Sequence, residues 1–171
     1  MAATPTFNGI TLVLGGARSG KSAFAESLFA SCDAATYIAT AEALDDEMTD
    51  RIQQHQSRRG DAWTTVEAPL DLAGAMTDIG SPVLVDCLTI WLSNLMHHEK
   101  DIEAEIDSLL AALSAMKQPI VFVSNEVGGG IVPENKLARN FRDLAGIMNQ
   151  KFAAAADQVF LVTAGLPQQL K

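Results

Sequence analysis

Residues 9–30, GITLVLGGARSGKSAFAESLFA, decide the fold. The first six (9–14) form a short apolar run and predict a strand. Residues 15–22, GGARSGKS, match G-x-x-x-x-G-K-[ST], with Gly15, Gly20, Lys21 and Ser22 at the fixed positions. Residues 22–30 follow a helical pattern. Strand, glycine-rich turn and helix together are the setting of a phosphate loop. In that setting the amides of Gly15, Gly16, Ala17, Arg18, Ser19, Gly20, Lys21 and Ser22 surround an anionic phosphate. The helix N-terminus adds partial positive charge. Lys21 reaches the β- and γ-phosphates, and the Ser22 hydroxyl is a ligand for Mg²⁺. The stretch predicts nucleoside triphosphate binding but does not name a reaction.

The pattern of short strand followed by helix repeats along the chain. TYIAT (36–40) predicts a strand, and the polar stretch 42–59 a helix with Leu44, Met48, Ile52 and His55 on one face. WTTVEA (63–68) predicts a third strand, LDLAGAMTD (70–78) a helix, and SPVLVDC (81–87) a strongly apolar strand. A helical region after it breaks near His97 and His98 and resumes over 101–116. PIVFVSN (119–125) predicts another strand, VGGGIVP (127–133) a loop, 134–156 the longest helix, and QVFLVTAG (158–165) the last strand. Continuous apolar strands alternating with helices imply a mostly parallel sheet covered on both faces, an α/β fold in three layers. No linker or internal repeat divides the 171 residues, so a single domain over 1–171 is expected.

A net charge of −9 argues against a broad nucleic-acid face, which needs clustered Lys and Arg. No run of eighteen apolar residues predicts a membrane span, and the first residues lack the pattern of a secretory signal. Two cysteines, Cys32 and Cys87, do not make a disulfide framework. These features lead to the expectation of a cytoplasmic enzyme.

Three further places carry chemistry. Asp86 ends the strand VLVD, where phosphate-loop enzymes keep an acid for Mg²⁺ or its water. His55 follows Arg51 by four residues, with Arg58 and Arg59 close behind. A neutral ring nitrogen there can attack a nucleotide phosphate while arginines neutralise its oxygens. On composition alone, however, a surface histidine on a polar helix is more often inert. SNEVGGGIVPENKLAR (124–139) gathers Asn125, Glu126, Pro133, Glu134 and Asn135 around three glycines, just past a strand end where open α/β sheets place ligands. Arg139 and Arg142 are able to face phosphate or to pair with Glu134 or Asp143. The spacing of Cys and His makes no zinc site.

These residues resemble one family over nearly the whole chain: the bifunctional adenosylcobinamide kinase/adenosylcobinamide-phosphate guanylyltransferases of cobalamin biosynthesis. The resemblance rests on GGARSGKS (15–22), YIATAEALDDEM (37–48), RIQQHQ (51–56), VLVDCLTIWLSNL (83–95) and the long block 124–165. It implies a phosphate-loop NTPase fold similar to recombinase-type ATPase cores, and a homotrimer. It also implies two reactions. Adenosylcobinamide is phosphorylated with ATP or GTP, and GMP from GTP is then transferred to adenosylcobinamide phosphate through a histidine-bound GMP, releasing pyrophosphate. By position, that histidine is His55. The resemblance makes Lys21 catalytic with it, and Ser22 and Asp86 the Mg²⁺ site. Arg51, Glu67, Asn125, Glu126, Pro133 and Asn135 become candidate nucleotide or substrate contacts. Asp86 stands where relatives carry Glu, which makes an electrostatic role there easier to expect than direct ligation. A single-activity kinase, a single-activity guanylyltransferase and a regulatory NTP-binding module are the competing readings.

Overall fold

The structure is a computed structural model that describes residues 8–42 and 62–171. A seven-stranded sheet organises it. The strands are β1 (Ile10–Gly15), β2 (Ala35–Ala39), β3 (Trp63–Glu67), β4 (Val83–Asp86), β5 (Ile120–Asn125), β6 (Gln158–Thr163) and β7 (Leu166–Gln169). Their order across the sheet is β3-β2-β4-β5-β1-β6-β7. All neighbours pair in parallel except β6 and β7, which are antiparallel. The central strands are buried on both faces, which is why they read as unbroken apolar runs. The described helices are α1 (Lys21–Ser27), α2 (Leu72–Met76), α3 (Leu88–His97), α4 (Ile102–Leu113) and α5 (Lys136–Ala155). The predicted helix over 42–59 falls almost wholly outside the described residues.

Two apolar clusters lie on opposite faces of the sheet. One contains Val13, Leu84, Val121, Val123 and Val162 with Ala25 and Phe29, from α1 and the turn after it. The other contains Leu12, Val85, Phe122 and Val159 with side chains from α2, α3, α4 and α5. Strand residues alternate between the faces with period two. Helix starts follow from capping: Asp71, Asp101 and Asn135 accept amide hydrogens at the first turns of α2, α4 and α5. No side chain caps α1, which begins after Gly20 in the left-handed region.

One strand differs from expectation. The chain does not end its sheet at residue 165: β7 follows β6 across a turn at Ala164 and Gly165, both with positive φ (52° and 80°). That backbone matches the two-residue hairpin turn. All four β7 residues are exposed, and Pro167 sits on the outer strand, where a missing amide is tolerated.

Candidate active site

The phosphate loop occupies the carboxyl edge of β1. Gly15 is its last strand residue and must be glycine: a Cβ there would stand 2.7 Å from the Val162 carbonyl oxygen and collide with Ser19 Oγ. Arg18 and Gly20 take positive φ (55° and 93°), which turns successive amides toward one side. The Lys21 ammonium folds back across the loop and donates to Gly16 O at 3.1 Å. The loop is braced from outside by the β6–β7 turn, whose Gly165 N–H donates to Ser19 O at 2.7 Å. Ser19 Oγ is buried with no hydrogen-bond partner.

Strand parity gathers the other candidates. Gly15 shares the α1 face with Val13, Asn125 with Val123, Asp86 with Leu84, and Glu67 with Trp63. The register sets Gly15 directly beside Asn125, and Asp86 beside Val123. Four sequence-predicted residues thus share one face at the carboxyl edge, where open sheets bind ligands. Glu126 ties the two central strands together: its N–H donates to Gly15 O at 3.0 Å, and its carboxylate accepts from Gly128 N–H at 2.5 Å.

The peptide after Asp86 is cis and is held by a fully buried threonine. Thr40 Oγ1 accepts from Cys87 N–H at 2.9 Å and donates to Cys87 O at 2.8 Å. Burial, with the Asp86 charge beside it, pushes the Cys87 thiol up to about 11. The thiol therefore stays protonated near neutral pH, and the donors at this edge are hard oxygens, among them the Asp86 carboxylate and the Ser22 hydroxyl. That set suits Mg²⁺, which completes its shell with phosphate oxygens and water. Among the described residues no cluster of three or more His, Cys, Asp or Glu forms a closed metal cage.

Helix α3 lies near the same edge. Asn94 Nδ2 donates to Thr40 O and Pro69 O, Trp91 Nε1 to Leu70 O, and His98 Nε2 meets Glu42 Oε1 at 3.0 Å. A groove of about 650 Å³ opens between the end of α3 and the start of α5, lined by Met96, His97, Asn135, Leu137 and Phe141 among others.

Other sequence expectations separate here. The Asn135 carboxamide oxygen is occupied with the Leu137 and Ala138 amides. Arg139 donates to the carbonyls of Pro133 and Glu134, and so shapes the 126–135 loop. Arg142 pairs with Asp143 at 2.9 Å. His97 and His98 sit at the end of α3, as read from the sequence. His55 and Arg51 lie outside the described residues. Thr40, Thr89, Ser124 and Asn149, which fasten this edge from behind, were missed. A polar residue at a core position of α5 was the one available signal, since Asn149 lies beside Met148 and Phe152.

Known proteins resemble this chain in sequence and in fold. The family model described as cobinamide kinase / cobinamide phosphate guanyltransferase matches residues 11–170. The bifunctional adenosylcobalamin biosynthesis protein CobU of Escherichia coli (strain K12) is 44% identical, over 94% of this chain and 98% of its own length. The bifunctional adenosylcobalamin biosynthesis protein CobP of Pseudomonas aeruginosa is 45% identical, over 94% and 96%. Among solved structures, an ATPase of a bacterial type III secretion system aligns with a TM-score of 0.57 at 11% identity, covering 94% of this chain and 56% of that one. That likeness concerns the fold: a mostly parallel sheet flanked by helices, as in phosphate-loop ATPase cores. With its phosphate loop, strand-end acid and 124–165 block in place, the chain belongs to the cobinamide kinase / cobinamide phosphate guanyltransferase family.

Proposed function

We infer that this chain carries both activities of its family: it phosphorylates adenosylcobinamide and then transfers GMP from GTP to the product. The observation that carries the reading is the shared face of Gly15, Asn125 and Asp86 at the phosphate-loop edge, in a chain matched by the family over 11–170.

In the kinase step the loop amides and Lys21 hold the β- and γ-phosphates of ATP or GTP, and the acceptor hydroxyl attacks the γ-phosphorus, giving up its proton to solvent as the nucleoside diphosphate leaves. To do so Lys21 exchanges its bond to Gly16 O for phosphate oxygen. Ser22 and Asp86 would hold Mg²⁺, which when bound offsets charge on the phosphates. In the second step we assign the nucleophile to His55. Its neutral nitrogen attacks the α-phosphorus, the bond to the bridging oxygen breaks, and pyrophosphate leaves. The corrinoid phosphate then attacks the phosphoramidate, and the histidine is released. Arg51, Glu67, Glu126, Pro133 and Asn135 are assigned as nucleotide or substrate contacts. The reading includes one domain over 1–171, a cytoplasmic homotrimer, and neither nucleic acid nor a membrane as partner. No described helix is long and apolar enough to cross a membrane.

The test uses Mg²⁺ and GTP labelled on either its α- or its γ-phosphate. The α-label should bind the protein in an acid-labile, base-stable form, and His55→Ala should abolish it while nucleotide still binds. Persistence of that label in the variant removes His55 as nucleophile. The γ-label should pass to adenosylcobinamide. Failure of both ATP and GTP to deliver it would leave a guanylyltransferase alone.

A further inference from the structure

Behind the carboxyl edge lies a polar cluster that the two reactions do not use directly. Thr89 in the first turn of α3, Ser124 in β5 and Asn149 in α5 are all buried, at 6%, 0% and 5% exposure. They surround the peptide groups of Asn125. The Asn125 N–H donates to Thr89 Oγ1 at 2.6 Å, and the Asn125 carbonyl accepts from Asn149 Nδ2 at 3.1 Å. Ser124 Oγ donates to Asn149 Oδ1 at 2.7 Å and meets Thr89 Oγ1 at 3.3 Å.

Ser124 gives its proton to Asn149 Oδ1, so in the 3.3 Å contact it is the Thr89 hydroxyl that can donate to Ser124 Oγ, a proton for which the Cys87 sulfur is a second acceptor. The bonds then run from Asn125 N–H to Thr89, from Thr89 to Ser124, from Ser124 to Asn149, and from Asn149 back to the Asn125 carbonyl. The ring is closed, and each member both gives and accepts. In a dry interior such a circuit is strengthened along its length, and losing one member strands the others.

Its location suggests its use. Ser124 points to the α5 face, so Asn125, one residue on, points to the α1 face beside Gly15. The next amide, Glu126 N–H, holds Gly15 O. We propose that Thr89, Ser124 and Asn149 are positioning residues: the ring locks the Asn125 peptide so that the Asn125 side chain and the Glu126–Gly15 bond keep the geometry that phosphoryl transfer requires. The proposal deepens the functional reading above and rests on it.

Thr89→Val keeps the shape and removes the hydroxyl; Thr89→Ser keeps the hydroxyl. In the γ-transfer assay Thr89→Val should lower kcat by about tenfold or more, because sub-ångström misplacement of a reacting group is costly. The KM for GTP should change less than about threefold, and Thr89→Ser should restore kcat. The Asn125 amide proton should move upfield in Thr89→Val and return in Thr89→Ser. If Thr89→Val fails to fold, Asn149→Asp serves. Protonated, it donates to the Asn125 carbonyl; ionised, it cannot. Its kcat relative to the unaltered protein should therefore fall as pH rises. Wild-type kcat in Thr89→Val overturns the proposal. So does equal loss in Thr89→Ser, or a relative pH profile in Asn149→Asp that stays flat across the pH range in which the NMR signal of its carboxyl carbon shows it to ionise. If the unaltered protein performs neither transfer, the functional reading fails instead. The ring is then judged by the Asn125 resonance on adding a non-hydrolysable GTP analogue: Thr89→Val should abolish its shift, and an unchanged shift overturns the ring.

Discussion

Gly15→Ala is the sharpest perturbation of the phosphate loop. The new Cβ meets two groups of different stiffness. Ser19 Oγ can rotate away, but the Val162 carbonyl, 2.7 Å off, belongs to β6, which pairs with β1 at that residue. Reaching ordinary contact at 3.4 Å requires the end of β1 to move about 0.7 Å. Gly15 O also accepts from Glu126 N–H at 3.0 Å. A shift of that size carries the bond beyond useful range, or drags the 126–135 loop with it. Overpacking of this kind costs about 1–3 kcal/mol, which for a chain of this size lowers Tm by about 2–12 °C. The loop amides move together, and a 1 Å misplacement costs about a hundredfold, so Kd for a Mg²⁺–GTP analogue should rise by about tenfold or more. Titration calorimetry measures the affinity and a thermal melt the stability. Gly80→Ala, where a Cβ meets nothing within 4 Å, is the control for both. Gly15→Ala with unchanged affinity and Tm refutes the steric argument.

Two further outcomes follow from the support of Asp86. Thr40→Val leaves the Cys87 N–H and carbonyl without their buried partner and should cost about 2–4 kcal/mol in urea unfolding, whereas Thr40→Ser should stay within about 1 kcal/mol. Cys87 supplies a pH test on metal-free protein. Its folded pKa, about 11, lies above the unfolded 9.0, so in that window the unfolded chain has released a proton that the folded chain keeps. Stability should therefore be undiminished below about pH 9 and fall at up to about 1.4 kcal/mol per pH unit toward pH 11. Cys87→Ala should flatten that slope, and an identical slope in the variant would remove Cys87 as its cause.

The path from sequence to structure was uneven for physical reasons. The β1–loop–α1 unit was legible because each part constrains the next within 21 residues, Ile10 to Ala30. The inner strands were legible because burial on both faces demands unbroken apolar runs. The last strand was not, because β7 buries no side chain and joins the sheet through backbone bonds alone. The Ala164–Gly165 turn was its one local signal. Asp86, Glu67 and Asn125 could each be placed at a strand end, but their common face depended on strand order, which long-range pairing sets. The arginines were undecidable in sequence because phosphate, carboxylate and carbonyl oxygens all satisfy a guanidinium. In the structure Arg139 holds backbone carbonyls and Arg142 a carboxylate. Thr89, Ser124 and Asn149 are ordinary residues, 35 and 25 positions apart, whose meaning exists only once three elements meet.

The sheet divides the labour between its two faces. The α1 face carries the groups assigned above to the reactants: Gly15 with its loop, Asn125, Asp86 and Glu67. The α5 face carries the means of holding them still: Ser124 and Asn149, with Thr89 above. Neighbouring residues of one strand serve opposite purposes because a pleated strand turns each side chain away from the last. Strand spacing of about 4.8 Å puts β4 about 10 Å from β1, so Asp86 does not sit under the loop but beside it, with β5 between. The strand in the middle is therefore the one whose end must be fixed, since it alone borders both the phosphate cradle and the acid. That is the strand the hydrogen-bonded ring grips. A family that performs two phosphorus reactions needs a fixed reference for whatever else is exchanged, and on the reading above β5 supplies it from behind without occupying space in front.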